Sequence, residues 1–326
     1  MDYELHQVLD ALKSLDSKQS EDELNDFFEI LLKQDRELAL EAINDERCSF
    51  SAFFMLIPKI ELKNLQRGLN ERNLYALNLY RNKVNRSGIK AAEESASAIN
   101  ALKWIVSTGI AGDGMSDIYD ELMDAAVIRL IMTYRDTSVL PDAVRLIFLR
   151  NKRGSFSHDI VWAVFRSHSI DSLKLIAEYL LSPDRRDAEF SARLLYLKPP
   201  SDLMLAANKK LYESYLSWLE ENGEFLYFTG DNFQRTSEPA FFKLNASAKY
   251  IGKPVSKRTG MPLGNLSDNE LRTMNLFENA GEREKEALLA HSDRLKKNDP
   301  QAWEDFINSA FETQWAAAVS SREGSV

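Results

Sequence analysis

The stretch SIDSLKLIAEYLLSPDRRDAEFSARLLYLK, residues Ser169–Lys198, decides the fold class. It carries two amphipathic helical patterns joined at Ser182-Pro183-Asp184. The first sets Leu173, Ile176, Ala177, Leu180 and Leu181 on one face at the i, i+3, i+4, i+7, i+8 spacing of a helix. The second sets Ala188, Ala192 and Leu195 on one face, with Phe190, Leu194 and Leu197 beside it. A hairpin of this size cannot bury its apolar stripe alone, so it requires stacked helical neighbours.

Upstream sequence supplies them. Ile99, Leu102, Ile105 and Val106 give a stripe that ends at a loop marked by Gly109, Gly112 and Gly114. Leu140, Val144, Ile147 and Phe148 form the next stripe, followed by Ile160, Val161, Val164 and Phe165. The hairpins starting near Ser138 and Ser169 align at an offset of about 33, pairing Leu140 with Leu173, Val144 with Ala177 and Ile147 with Leu180. On Leu173, Ile176, Leu180, the turn Pro183-Asp184-Arg185-Arg186, Ala188, Ala192 and Arg193, the stretch Asp171–Leu195 resembles a HEAT repeat. The resemblance covers two or three units, roughly residues 89–198. It implies an all-α fold, an α-α superhelix or solenoid. It also implies that Asp184 and Arg193 stand where the family uses an acidic turn residue and a following basic one to join successive units. The preceding hairpin departs from that pattern, since Asn151-Lys152-Arg153-Gly154 has no acidic member.

Four regions follow from the punctuation of the chain. Residues 1–88 read as an N-terminal helical region, 89–222 as HEAT-like repeats, 223–266 as an irregular segment and 267–326 as C-terminal helices. In the first region, Leu5, Val8, Leu9 and Leu12 share a face, and Ser20-Glu21-Asp22-Glu23 has the form of a capping box. Helices are expected near 35–46, 49–57 and 71–84, with Asn70 opening the last and Pro58 acting as a separator. Pro199-Pro200 is expected to stop the repeats, and a longer helix follows from Ser201 to Asn222. Residues 223–266 hold 5 of the 13 glycines and 3 of the 9 prolines, which excludes a continuous helix. Phe225–Thr229 and Phe233–Ser237, joined by Gly230-Asp231-Asn232, are expected to pair as a short hairpin. A second capping box, Ser267-Asp268-Asn269-Glu270, restarts helix, and Asp299-Pro300 opens the last one.

Composition bounds the function classes. The chain of 326 residues is long enough for a substantial core. Its start, Met1-Asp2-Tyr3-Glu4, lacks the basic-then-apolar order of a signal peptide, and no apolar run has the length of a membrane span. One cysteine, Cys48, leaves no internal disulfide or cysteine-rich zinc site, so a reducing cytoplasm and no membrane are expected. His6, His158, His168 and His291 show no i, i+4 metal-ligand pair. Ser157-His158-Asp159 holds triad residue types, but neighbours on one helix diverge where a triad must converge. The glycine cluster does not match a phosphate-binding loop. No catalytic residue, cofactor or metal is therefore expected.

Charge is segregated. The net charge of −9 argues against non-specific nucleic-acid binding, yet residues 129–198 are net +4 and residues 223–266 net +3 between acidic ends. Asp113, Asp117, Asp120, Glu121 and Asp124 have helical spacing and read as a solvated face complementing a helix N-terminus. Arg150, Lys152 and Arg153 fall in one inter-helix turn, and Arg185 and Arg186 in the next. In a stacked array these would form one exposed cationic ridge able to grip carboxylate or phosphate, with Trp162 as a stacking surface or a core residue. A second candidate, Lys249, Tyr250, Lys253, Lys257 and Arg258, interleaves an aromatic with cations in a Gly/Pro-containing loop, as an anionic partner requires. The leading expectation is a non-enzymatic helical-repeat scaffold or adaptor binding another protein through a curved, locally basic surface. The alternative is a nucleic-acid-binding, DNA-repair-type protein. HEAT-like folds resembling alkylpurine DNA glycosylases hold DNA on a basic concave face, and Asp159 and Trp162 lie in the corresponding part of this chain.

Overall fold

The computed structural model describes residues 4–17, 20–85, 96–198 and 205–323. Among them the chain is all-α: seventeen helices and one two-stranded sheet. It divides into two compact units, Met1–Ser167 and His168–Val326. Pro199-Pro200, Ser201 and the junction at 88/89 lie outside the described residues.

The first unit comprises α1 (Leu5–Ser17), α2 (Glu21–Gln34), α3 (Arg36–Asn44), α4 (Phe50–Leu62), α5 (Glu71–Val84), α6 (Ala96–Gly109), α7 (Asp117–Met132), α8 (Leu140–Arg153) and α9 (His158–Arg166). Polar side chains start several of them: Asp35, Ser49, Asn70 and Ser116 each accept a backbone N–H of the first turn. Ser20 does not; it stands at the N-cap of α2 without a side-chain cap bond, so the capping box read there is not formed. Pro58 does not separate helices but lies inside α4. Phe53, Leu56, Ile57 and Ile60 are all buried around it. Each contributes about 1.5–3 kcal/mol, which together exceeds the ~3 kcal/mol an internal proline costs.

The apolar faces meet at an aromatic core. Phe50 lies edge-on to Trp104 at 5.6 Å and stacks on Tyr119 at 5.2 Å. Both polar handles are satisfied: Trp104 Nε1 donates to Cys48 O at 2.9 Å and the Tyr119 hydroxyl to Gly109 O at 2.6 Å. That last contact explains the glycines between α6 and α7. A Cβ on Gly112 would sit 2.8 Å from the Tyr119 hydroxyl oxygen, so a side chain there would push the ring out of the core. α4 packs on α2 and α6, α6 on α5 and α7, and α9 on α7 and α8.

The second unit begins with α10 (Ile170–Glu178), extended by a 3-10 turn over Tyr179–Leu181, and α11 (Arg185–Leu194). These are the two amphipathic patterns of Ser169–Lys198, packed against each other. Ser191 Oγ ties them by donating to Ile176 O at 2.7 Å. Next come α12 (Leu205–Asn222), β1 (Leu226–Phe228), β2 (Phe242–Leu244), α13 (Ala246–Tyr250), α14 (Asp268–Asn279), α15 (Glu282–Asn298), α16 (Pro300–Asn308) and α17 (Phe311–Glu323). The expected hairpin is corrected. β1 pairs antiparallel with β2, Leu226 opposite Leu244, and the 233–237 stretch lies in the connecting loop. Phe241 and Phe242 are buried, whereas Gln234–Ser237 are exposed, so burial selects the later apolar pair. The capping box at Ser267 and the Asp299-Pro300 start are both formed, but the helix opened there is not the last, since it ends at Asn308 and α17 follows.

Candidate functional site

The turn joining α8 to α9 is built from beneath by charge. Arg150 sits in the last turn of α8, on the face that carries Ile147, and is only 2% exposed. Its guanidinium clamps Asp113, with Nη2 at 2.8 Å from Oδ1 and Nε at 3.2 Å from Oδ2. Nη1 lies 2.7 Å from Asp124 Oδ1, a charge contact outside hydrogen-bond geometry, and donates to Phe156 O at 3.2 Å. Nη2 also donates to Asp120 O at 3.3 Å. Arg153 reaches the same acid, donating to the backbone and carboxylate oxygens of Asp113. Asp120 accepts from Gly114 N–H at 2.6 Å. Two guanidinium groups thus contact the carboxylates of Asp113 and Asp124, and the nearby Asp120 carboxylate adds a third negative charge, leaving one in excess at a largely buried place.

The electrostatics follow. Burial pushes the Asp124 carboxyl up to about 6, against the pull of Arg150 and with repulsion from Asp113 and Asp120. Burial also raises Asp120. For Arg150 burial opposes the charge, but the bonds to Asp113 and the fields of Asp124 and Asp120 outweigh it and keep the guanidinium protonated.

Two sequence expectations are corrected here. Asp113, Asp120 and Asp124 are not a solvated face; they are the counterions of the α8–α9 turn. Nor is Arg150 part of an exposed ridge, because its charge is spent internally. The turn does expose Lys152, and Arg153 remains partly accessible. Its most exposed feature is apolar: Phe156 is 82% accessible, its ring set edge-on to His158 at 5.8 Å. Gly154, at φ 70°, closes α8 in the left-handed conformation and turns the chain toward that phenylalanine.

The other candidates are placed as follows. Arg185 and Arg186 belong to the second unit, exposed at the start of α11; Arg185 pairs with Glu189 at 2.7 Å and Arg186 lies 3.7 Å from Asp184. Asp184 caps α11 through Arg186 N–H, and Arg193 lies over the rings of Phe190 and Phe233 at 5.0 and 5.6 Å. Trp162 is half-buried, with the Arg166 guanidinium 6.0 Å from its ring centroid.

The 249–258 segment is ordered and internally neutralised. Lys249 pairs with Asp293 at 2.6 Å and Lys253 with Glu270 at 2.9 Å. Lys257 Nζ donates to Gly223 O, and burial lowers its pKa. Tyr250 is no stacking platform. Fully buried, it stacks on Phe277 at 4.8 Å and donates its hydroxyl to Gln314 Oε1 at 2.7 Å. Arg258 is exposed.

Groups with nucleophile or ligand chemistry do not converge. Cys48 is buried, which pushes its thiol up to about 12 and keeps it protonated. Among the described residues no cluster of histidine, cysteine and carboxylates has the arrangement of a metal site. No described helix is long and apolar enough to cross a membrane.

The sequence contained two signals for the turn that its patterning alone did not join. One is the acid series 113, 117, 120, 121, 124; the other is a lone aromatic between two serines at Ser155-Phe156-Ser157. Comparison of the chain with family models, with curated proteins and with solved structures finds no match.

Proposed function

We propose that this chain is a non-enzymatic scaffold or adaptor of HEAT-like helix pairs that binds another protein. In this reading the pairs α6/α7, α8/α9 and α10/α11 are the repeat units, and the α8–α9 turn is a docking point. The single observation behind it is Phe156, 82% exposed on a turn held by buried ion pairs. A large apolar ring presented on a fixed backbone loses little conformational freedom on binding, and aromatic and arginine side chains dominate interface energetics. Lys152 and Arg153 beside it favour a partner with an acidic rim around an apolar pocket.

The nucleic-acid alternative draws less support. Arg150 is neutralised within the turn, Tyr250 is buried where no base can stack on it, and the chain is net −9.

The test is affinity capture on the immobilised full-length chain, followed by calorimetry with the protein recovered. One stoichiometric protein partner is expected, with affinity lowered about 30-fold or more by Phe156→Asp and several-fold by Lys152→Glu. Equal retention by the wild-type and Phe156→Asp chains contradicts the docking point. Recovery of nucleic acid released steeply by salt replaces the reading with its alternative.

A further inference from the structure

Helix α14 (Asp268–Asn279) buries only one side. Thr273, Met274 and Phe277 turn inward, with Phe277 stacked on Tyr250 at 4.8 Å. The outer side is not the charged surface expected of an amphipathic helix. Leu271 is 51% and Leu276 36% exposed there, among Asp268, Arg272, Asn275 and Asn279, all exposed. Among the described residues these six line a groove of about 320 Å³ along the helix. Of the ten large apolar side chains exposed among the described residues, four lie between positions 261 and 276: Met261, Leu263, Leu271 and Leu276. Such a concentration marks a contact surface rather than scattered surface leucines.

Spacing decides what fits it. Residues four apart on a helix form ridges, and this face carries two. Asp268, Arg272 and Leu276 make one, and Leu271, Asn275 and Asn279 the other. The second ridge is neutral, with Asn279 Nδ2 donating to Asn275 O at 2.8 Å. The first holds an acid and a base one turn apart, and neither is ion-paired among the described residues. Ridges at this spacing accept the same ridges from another helix crossing at about −50°. Two-fold symmetry makes the charges match as well. Asp268 of one copy against Arg272 of a second also brings Arg272 of the first against Asp268 of the second. Both charges are then satisfied without any other partner.

Size sets the strength. A 12-residue helix is about 18 Å long and about 10–12 Å across, so one face covers on the order of 200 Å² per copy. Stable complexes bury about 800 Å² per partner. The contact is therefore weak and forms only at high concentration.

We propose that the outer face of α14 is a self-association surface, on which a second copy of this chain docks across a two-fold axis through Asp268, Leu271, Arg272 and Leu276. Self-association here does not depend on the scaffold reading.

Sedimentation velocity of the full-length chain from about 5 to about 500 µM tests it. The weight-average sedimentation coefficient of the wild type is expected to rise with concentration toward the dimer value. Leu271→Lys combined with Leu276→Lys removes that rise and leaves the thermal midpoint within about 2 °C, because both side chains are exposed. Arg272→Glu sets acid against acid across the axis, and Asp268→Lys sets base against base. Each of these chains alone associates about tenfold or more weakly. Mixed in equal amounts, the two charge-reversed chains restore both wild-type pairs, and the rise returns. A wild-type chain that stays monomeric throughout overturns the proposal, as does growth beyond a dimer, since a two-fold contact closes. Unchanged association by either charge-reversed chain, or a mixture that sediments as monomers, also overturns it.

Discussion

The two basic segments, Arg150–Arg153 at the α8–α9 turn and Lys249–Arg258 after α13, look alike as sequence and differ as structure. In the first, cations from one turn are gathered onto acids from a single upstream segment, Asp113 to Asp124, leaving a carboxylate in excess and Phe156 raised into solvent. In the second, each of two lysines finds its own carboxylate on a later helix, and the segment's aromatic becomes the centre of a core. A cation cluster is thus not a surface until its counterions are known. Burial depth sets the energetic consequence: deep pairs are costly to break, whereas half-exposed ones contribute little.

The sharpest way to break this contrast is Arg150→Met. Removing the guanidinium leaves Asp124 without a cation and Asp113 with only the part-exposed Arg153. A loss of about 3–5 kcal/mol is expected in chemical unfolding of the full chain. A loss below about 1 kcal/mol would mean that the cluster is solvated after all.

Asp124→Asn sharpens the comparison through pH. In the folded chain the Asp124 carboxyl is pushed up from 3.8 to about 6, so the native state keeps a proton that the unfolded chain releases. Its stabilising contribution is complete below about pH 4 and is lost as pH rises through about 6. The asparagine variant cannot lose that proton. Its stability relative to wild type should therefore rise by on the order of 2 kcal/mol between about pH 4 and 7. Parallel stability curves for the two chains would contradict the crowded-carboxylate account.

In the second segment, Tyr250→Phe leaves the buried Gln314 Oε1 without its donor and is expected to cost about 1–2 kcal/mol in thermal unfolding. Lys253→Met breaks only a half-exposed pair with Glu270, and a change of less than about 1 kcal/mol is expected. A larger effect for Lys253 than for Arg150 would reverse the comparison.

What the sequence made legible was local. The paired stripes of Ser169–Lys198 and the caps at Asn70, Ser267 and Asp299 depend on residues within a few positions, and they are present as read. Distant pairing was not legible. β1 pairs across a 13-residue loop with Phe242–Leu244, and no local turn signal marks that strand. Pro58 was read from propensity, yet tertiary burial of the residues around it decides its place. At the candidate turn, the acids of 113–124 and the bases of 150–153 are each visible as clusters. Their union depends on α7 and α8 converging, which periodicity within either helix does not encode. Phe156 stood in plain view, but only its 82% exposure distinguishes it from a buried loop aromatic.

The most direct test of the protein-docking role is photo-crosslinking from a benzophenone amino acid placed at position 156 of the full-length chain in cells. One discrete protein adduct is predicted, displaced by excess wild-type chain and not by the Phe156→Asp chain. Adducts to nucleic acid, or a protein adduct displaced equally by both chains, would contradict it.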